Sequence, residues 1–190
     1  MELLLIRHGE TSWNLEKRLQ GSTNIPLNEE GFLQARKCAD YMKTLPIDAI
    51  YSSPLARAYQ TAQAIAYACV LPIIQLNELQ EKHFGKGEGK TIEENNLLYP
   101  VRPYPEEEAL EDFEKRIVTA LQLIVEKKQF KKVVVVSHGA VINRLLYLFS
   151  NGEIGSNITH LENCSISTLI YENNTFSIKS ANDINYTIHN

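Results

Sequence analysis

Leu3-Leu4-Leu5-Ile6-Arg7-His8-Gly9-Glu10-Thr11 opens the chain, and its reading decides the fold. A run this short and this apolar suits a strand buried on both faces of a parallel sheet. Arg7 and His8 follow at its carboxyl end, and Gly9 permits a tight turn there. The arrangement returns far downstream, where Val133-Val134-Val135-Val136 runs into Ser137-His138-Gly139. In such sheets the reactive groups gather at the carboxyl ends of the strands. The two His-Gly pairs are therefore expected at one edge, as a phosphate-handling site with one histidine as nucleophile.

The elements between alternate in type. Ser12 to Gly31, punctuated by Gly21, Pro26 and Gly31, reads as a helical turn and then a loop. Phe32, Ala35, Ala39, Met42 and Leu45 mark one face of a helix. Ile47 to Tyr51 is a short strand. Ser53 is expected to cap the next helix, with Pro54 at its first position and Leu55, Ala58, Ala62, Ile65 and Ala66 on its apolar face. Ile73-Ile74 forms a weaker strand. Leu110, Phe113, Ile117, Leu121 and Ile124 recur at helical spacing, and a further helix runs through Leu145 and Phe149. Ser165–Tyr171 and Thr175–Lys179 form a hairpin about Asn173-Asn174, which tolerate positive φ. Strands alternating with helices imply an α/β domain with a mostly parallel sheet, made mixed by the terminal hairpin.

Between Glu78 and about Pro105 the periodicity fails. Gly85, Gly87, Gly89, Pro100, Pro103 and Pro105 break it, with aromatics between them. A long irregular stretch inside a compact domain is usually functional or disordered. A cap or lid over residues 78–109 is expected, packed through Phe84, Tyr99 and Tyr104.

With 190 residues the chain fits one domain with an inserted segment. A formal net charge of −4 leaves no general nucleic-acid footprint, so any anion site must be a local cluster of Arg and His. Cys38, Cys69 and Cys164 are scattered and odd in number, which suits core packing rather than a disulfide framework or a metal site. Neither a signal peptide nor a membrane span is visible, so a soluble cytoplasmic protein is the expectation.

Phosphoryl transfer is mainly positioning plus charge stabilisation, so it needs a positive, donor-rich pocket. Arg7 and Arg57 each lie just after a strand and near the start of a helix. Arginine clamps phosphate oxygens bidentately, and helix N-termini add oriented N–H groups. A neutral imidazole beside such a clamp can attack phosphorus.

These residues carry a resemblance. Arg7-His8-Gly9-Glu10-Thr11 with Trp13-Asn14 resembles the signature of the histidine phosphatase superfamily, the phosphoglycerate mutase-like proteins. Gln20-Gly21, Pro26-Leu27, Gly31 and Gln34-Ala35 match the family's next segment. Ser52-Ser53-Pro54-Leu55, Arg57-Ala58 and Gln60-Thr61-Ala62 match the segment of its second arginine. Glu81, Gly85, Glu88-Gly89 and Ser137-His138-Gly139 follow in the family's order. The collinearity spans nearly the whole chain and is far more specific than any single motif.

The resemblance implies a three-layer α/β/α sandwich with a mixed sheet and an inserted, partly helical cap. It implies His8 as the nucleophile that becomes phosphohistidine. Arg7, Arg57 and His138 would hold the phosphoryl oxygens, assisted by Asn14 and the Gly139 backbone, with Gln20 and Gly21 in the same pocket. Glu81 would be the proton donor, with Glu88 as its rival. Neither metal nor cofactor is implied. The substrate would be a small phosphate monoester. A compact phosphatase is expected; the alternatives are a phosphoglycerate mutase and a non-catalytic binding protein on the same fold. Three departures stand where substrate shape could be read: Asn24 for a common Asp, Gly87 for a common Trp, and Glu107-Glu108-Ala109 for Gly-Glu-Ser. His83, His160 and His189 read as ordinary hydrogen-bonding residues. Arg102 and Arg116 read as solvated helix residues, and Glu106-Glu107-Glu108 as an acidic first helical turn.

Overall fold

The structure is a computed structural model that describes residues 1–156 and 158–187; His189 lies outside them. In chain order it forms β1 (Glu2–Arg7), α1 (Ser12–Leu15), α2 (Glu29–Met42), β2 (Ala49–Ser52), α3 (Ala56–Cys69), β3 (Ile73–Gln75), α4 (Ile92–Leu98), α5 (Leu110–Val125), β4 (Lys132–Ser137), α6 (Gly139–Phe149), β5 (Ile166–Glu172) and β6 (Thr175–Asp183). One six-stranded sheet has the order β3-β2-β4-β1-β5-β6. β3, β2, β4 and β1 pair in parallel, and β5 and β6 add antiparallel.

Alternation along the central strands splits the core in two. Leu3, Leu5, Val133, Val135, Ala49 and Tyr51 face Phe113, Ile117 and Leu121 of α5 and Ile142 and Leu145 of α6. Leu4, Ile6, Val134, Val136 and Ile50 face Ala39 and Met42 of α2 and Ala58, Ala62 and Ile65 of α3. The result is an α/β/α sandwich whose apolar strands are covered on both faces. Burying one such side chain contributes about 1.5–3 kcal/mol, so neither face tolerates a one-residue slip of register. The terminal hairpin turns where expected, with Asn173 at φ 51° and Asn174 at φ 60°. β3 lies at the sheet edge, and its Ile74 is 39% exposed, which explains its faint pattern.

Several local expectations need correction. α2 begins at Glu29, because Asn28 caps it by accepting from Gly31 N at 2.8 Å. Its buried face is Gly31, Ala35, Cys38, Ala39 and Met42, while Phe32 is 45% exposed. Gly31 belongs on that face because an added Cβ would lie 2.1 Å from Glu10 O. Gly9 meets the same constraint, its Cβ falling 2.6 Å from Gly31 O, so close backbone approach rather than a turn requires it. Ser53 does not cap α3. The cap position is Leu55 without a side-chain bond, and Asn24 Oδ1 instead accepts from Ala56 N at 2.7 Å. α5 starts after Ala109, with Glu111 and Asp112 as its acidic first turn, so Glu106–Glu108 precede the helix. Leu110 at its first position is 48% exposed. Cys38 and Cys164 are buried, and Cys69 is half-buried.

The irregular segment is better ordered than its sequence suggests. α4 is closed by a capping box, in which Thr91 Oγ1 accepts from Glu94 N at 3.2 Å and Glu94 Oε2 accepts from Thr91 N at 2.8 Å. The Thr-x-x-Glu spacing is a sequence signal for this helix. Tyr104 is buried and Tyr99 half-buried, their ring centroids 6.0 Å apart. Among the described residues no helix is long and apolar enough to cross a membrane.

Candidate active site

The register of β1 on β4 brings the two histidines together. Arg7 pairs with Ser137, so His8 and His138 both stand one residue beyond the paired ends. His8 N donates to Ser137 O at 3.0 Å, and the imidazole centroids are 5.2 Å apart. On the other side of β4, Ser53 leaves the end of β2, and its Oγ lies 2.8 Å from His138 Nε2. Neighbouring strand ends thus deliver Arg7, His8, His138 and Ser53 to one place.

A cavity of about 190 Å³ opens there. Arg7, His8, Asn14, Gln20, Gly21, Arg57, Glu81 and Gly139 line it, together with Arg18, Leu19 and Phe84. His138 is fully buried, its ring tilted by 58° to that of His8. The residues given catalytic or binding roles from the sequence therefore lie in this place or directly against it, apart from the rival acid Glu88. Arg18 and Leu19 were not anticipated, and Phe84 was expected only to pack the cap; all three come from segments without periodicity. Arg18 is placed by bonds to Gly89 O at 2.7 Å and Glu16 Oε2 at 2.7 Å. A neighbouring groove of about 490 Å³ shares Arg7, Asn14, Arg18 and Leu19 and adds Trp13 and Ile92.

His8 is 3% exposed, and its Nδ1 lies 2.7 Å from Gly9 O. A carbonyl only accepts, so Nδ1 carries the proton and Nε2 the lone pair. Burial, then the charges of Arg57 and Arg7, hold the imidazole well below its ordinary pKa, so it is neutral at pH 7. His138 is lowered by burial and by Arg57 in the same way.

Arg57 is fully buried at the start of α3. Its two terminal nitrogens donate to Thr23 O at 2.8 Å and Gly21 O at 2.7 Å, fixing the loop that forms one wall. Burial pulls its pKa down to about 10, against the raising effect of the Glu81 and Glu88 carboxylates. Arg7 donates Nη1 to Leu161 O. Among the described residues Arg7 Nε and Arg57 Nε are buried without a partner. Unpaired buried guanidinium donors are costly unless an anion completes them. Arg7 Nε also lies beside the N-terminus of α6, 3.7 Å from where a Cβ on Gly139 would stand. Helix N-termini favour anions.

Thr61 joins α3 to the loop after β1: Gly9 N donates to its Oγ1 at 3.0 Å, and that hydroxyl donates to Arg57 O at 2.8 Å. Asn14 Oδ1 accepts from Thr11 N at 3.1 Å, leaving Nδ2 as the donor end of its amide.

The two candidate acids differ. Glu81 lines the cavity, with Oε1 accepting from Lys82 N at 3.0 Å and Oε2 from Ala140 N at 3.1 Å. Burial raises its pKa although Arg57 and Arg7 oppose it. Glu88 accepts from Ser22 N at 2.9 Å, Thr23 N at 3.0 Å and Phe84 N at 3.0 Å, with Thr23 Oγ1 at 2.5 Å. Despite desolvation, these donors hold its pKa below the ordinary value. It is a loop staple outside the cavity lining.

Other expectations change. Arg116 is only partly exposed and bonds to three backbone carbonyls. Arg102 lies outside any helix, 3.9 Å above the Tyr104 ring. His83 is exposed and bonds to Ser22 and Glu88, outside the cavity lining, and His160 is exposed. The three departures do not line the cavity either. Asn24 caps α3, a Cβ on Gly87 would lie 2.4 Å from the Tyr104 ring, and Glu107 and Glu108 form ion pairs. All three support the scaffold. Among the described residues no group of three His, Cys, Asp or Glu side chains could hold a metal ion.

Known proteins share this architecture. Residues 3–184 match the model of the histidine phosphatase superfamily, branch 1. A protein named uncharacterized phosphatase PhoE from Bacillus subtilis is 39% identical over 178 residues, covering 94% of this chain and 92% of its own. The solved structure of Bacillus stearothermophilus YhfR superposes with a TM-score of 0.89 at 29% identity, covering 97% of this chain and 98% of that one. A phosphoserine phosphatase mutant from Entamoeba histolytica, in complex with phosphoserine, superposes at 0.82 with 30% identity, covering 97% and 98%. With two buried histidines at neighbouring strand ends, the buried Arg57 and the partly buried Arg7 beside them and this likeness along nearly its whole length, the chain belongs to branch 1 of the histidine phosphatase superfamily.

Proposed function

We propose that this protein hydrolyses small phosphate monoesters through a phosphohistidine formed on His8. The chain is a phosphatase of its superfamily. One observation carries the residue-level reading: the imidazole with its lone pair on Nε2 lies beside two buried, unpaired guanidinium N–H groups.

The phosphoryl group enters the small cavity, and its oxygens complete Arg7 Nε and Arg57 Nε. His138, Asn14 Nδ2, Gln20 and the backbone at Gly21 and Gly139 supply further contacts. The neutral Nε2 of His8 attacks phosphorus, and the ester P–O bond breaks. The leaving oxygen takes the proton from Glu81, whose raised pKa suits a donor. The alcohol departs along the groove past Trp13. The Glu81 carboxylate then takes a proton from water as that water attacks phosphorus. The P–Nε2 bond breaks, releasing phosphate and neutral His8. Residues 78–109 act as a cap on a single domain, since Glu81 and Phe84 of this segment line the cavity.

Rapid quenching of a turnover mixture into base, where phosphohistidine survives, should show the label on His8. His8→Ala should fold and lose essentially all turnover. Phosphate release should exceed isomerisation of phosphoglycerate. Label on His138, no label at all, or faster isomerisation would overturn the reading.

A further inference from the structure

Glu81 stands on a stretch with no strand or α-helix of its own; only a 3-10 turn, Asn77–Leu79, precedes it. Lys82 N and Ala140 N donate to its carboxyl, but the backbone that carries it needs a support of its own. Arg116, on α5, supplies it from below. Its Nη1 donates to Glu78 O at 2.9 Å and Gln80 O at 2.6 Å, and its Nη2 to Glu81 O at 3.0 Å. The remaining edge of the guanidinium makes a two-point pair with Glu108, Nε–Oε1 at 2.6 Å and Nη2–Oε2 at 2.9 Å. Glu108 in turn grips the far end of the same stretch. Its Oε2 accepts from His83 N at 3.1 Å, and its own N donates to His83 O at 2.8 Å. One planar ion pair therefore fixes both ends of residues 78–83.

We propose that Arg116, fixed by Glu108, is a positioning residue for the proton donor. The proposal rests on the reading of Glu81 as that donor. Neither Arg116 nor Glu108 lines the cavity, so neither touches substrate. Arginine suits the task because its planar fork serves three carbonyls and a carboxylate at once, which an ammonium cannot do. Proton transfer demands a distance correct to a fraction of an ångström, and a displacement of about 1 Å can cost roughly 10²-fold. Loss of Arg116 should therefore impair the step that needs the proton and spare the step that does not.

The test is the ratio of kcat/KM for an alkyl phosphate to that for p-nitrophenyl phosphate, whose leaving group hardly needs a proton. Arg116→Met should lower this ratio by roughly 10–100-fold, and Glu108→Gln should lower it less. Glu108→Gln also serves if Arg116→Met does not fold. Leu121→Ala, which opens a cavity in the same helix, should lower stability and leave the ratio unchanged. Glu81→Gln is run alongside. If it lowers the ratio and the Arg116 and Glu108 variants do not, or if Leu121→Ala lowers it equally, the positioning role is wrong and the donor assignment stands. If Glu81→Gln itself leaves the ratio unchanged, the donor assignment fails and the positioning role with it.

Discussion

Two glutamates seven residues apart in sequence have opposite electrostatic fates. Glu88 is held by three backbone N–H groups and the Thr23 hydroxyl, which stabilise the carboxylate. Glu81 lies in the cavity, where burial favours the protonated form. A depressed carboxyl suits a staple, and a raised one suits a donor. Glu81→Gln should slow phosphoenzyme formation with alkyl phosphates on the order of 10²–10⁴-fold, with a much smaller effect on aryl phosphates. As the pH rises through the raised Glu81 value, the wild type should lose alkyl-phosphate turnover, and this limb should vanish in Glu81→Gln. Glu88→Gln should instead loosen the 21–23 wall, and stopped-flow kinetics should show no leaving-group dependence. The reverse pattern would make Glu88 the donor.

At the scale of the element, the helices differ in how their first N–H groups are met. Asn28 and Thr91 cap their own helices, whereas α3 borrows Asn24 from 32 residues away. α5 has Ala109 at its cap position, extended at φ −59° and ψ 140° but without a side-chain acceptor. Ala109→Ser supplies that acceptor in a backbone already suited to it. It should raise stability by about 0.5–2 kcal/mol, read from urea denaturation, with turnover unchanged. No gain would mean that another group already satisfies this helix end.

The whole molecule stores its active site in a destabilised protonation pattern. His8 and His138 are buried and resist protonation until well below their ordinary value. In the unfolded chain each takes up a proton as the pH falls through about 6.5. The unfolded state then binds more protons, so stability falls with acid across that window. Glu88, Glu107 and Glu108 have depressed values. Their contribution is present above about 4.5, the ordinary carboxyl value, and is lost as the pH falls through the lower folded values. Glu81 opposes both, since its raised value costs stability near neutrality. Tm should therefore drop from pH 7 to 5 and drop again below pH 4.5. The double variant His8→Gln/His138→Gln should flatten the first drop and keep the second. An unchanged first drop would mean that the histidines are not its source.

The sequence by itself determined the layers and named most of the residues that meet at the cavity. Two four-residue apolar runs can be buried only on both faces, and such strands need helices above and below. The Asn-Asn turn, the face of α3 and the histidine-arginine set were legible because each depends on neighbours within a few positions or on a motif in fixed order. Tertiary structure alone decided the rest. Which face of α2 is buried depends on the approach of Gly9 to Gly31, and the capping of α3 depends on Asn24. The state of Glu81 against Glu88 depends on which carboxyl meets the cavity and which meets backbone donors. Arg116 looked like a solvated helix residue because its partners at 78–83 and Glu108 share no period with α5. Desolvation and hydrogen-bond partners depend on what the fold brings near, and no local pattern encodes that.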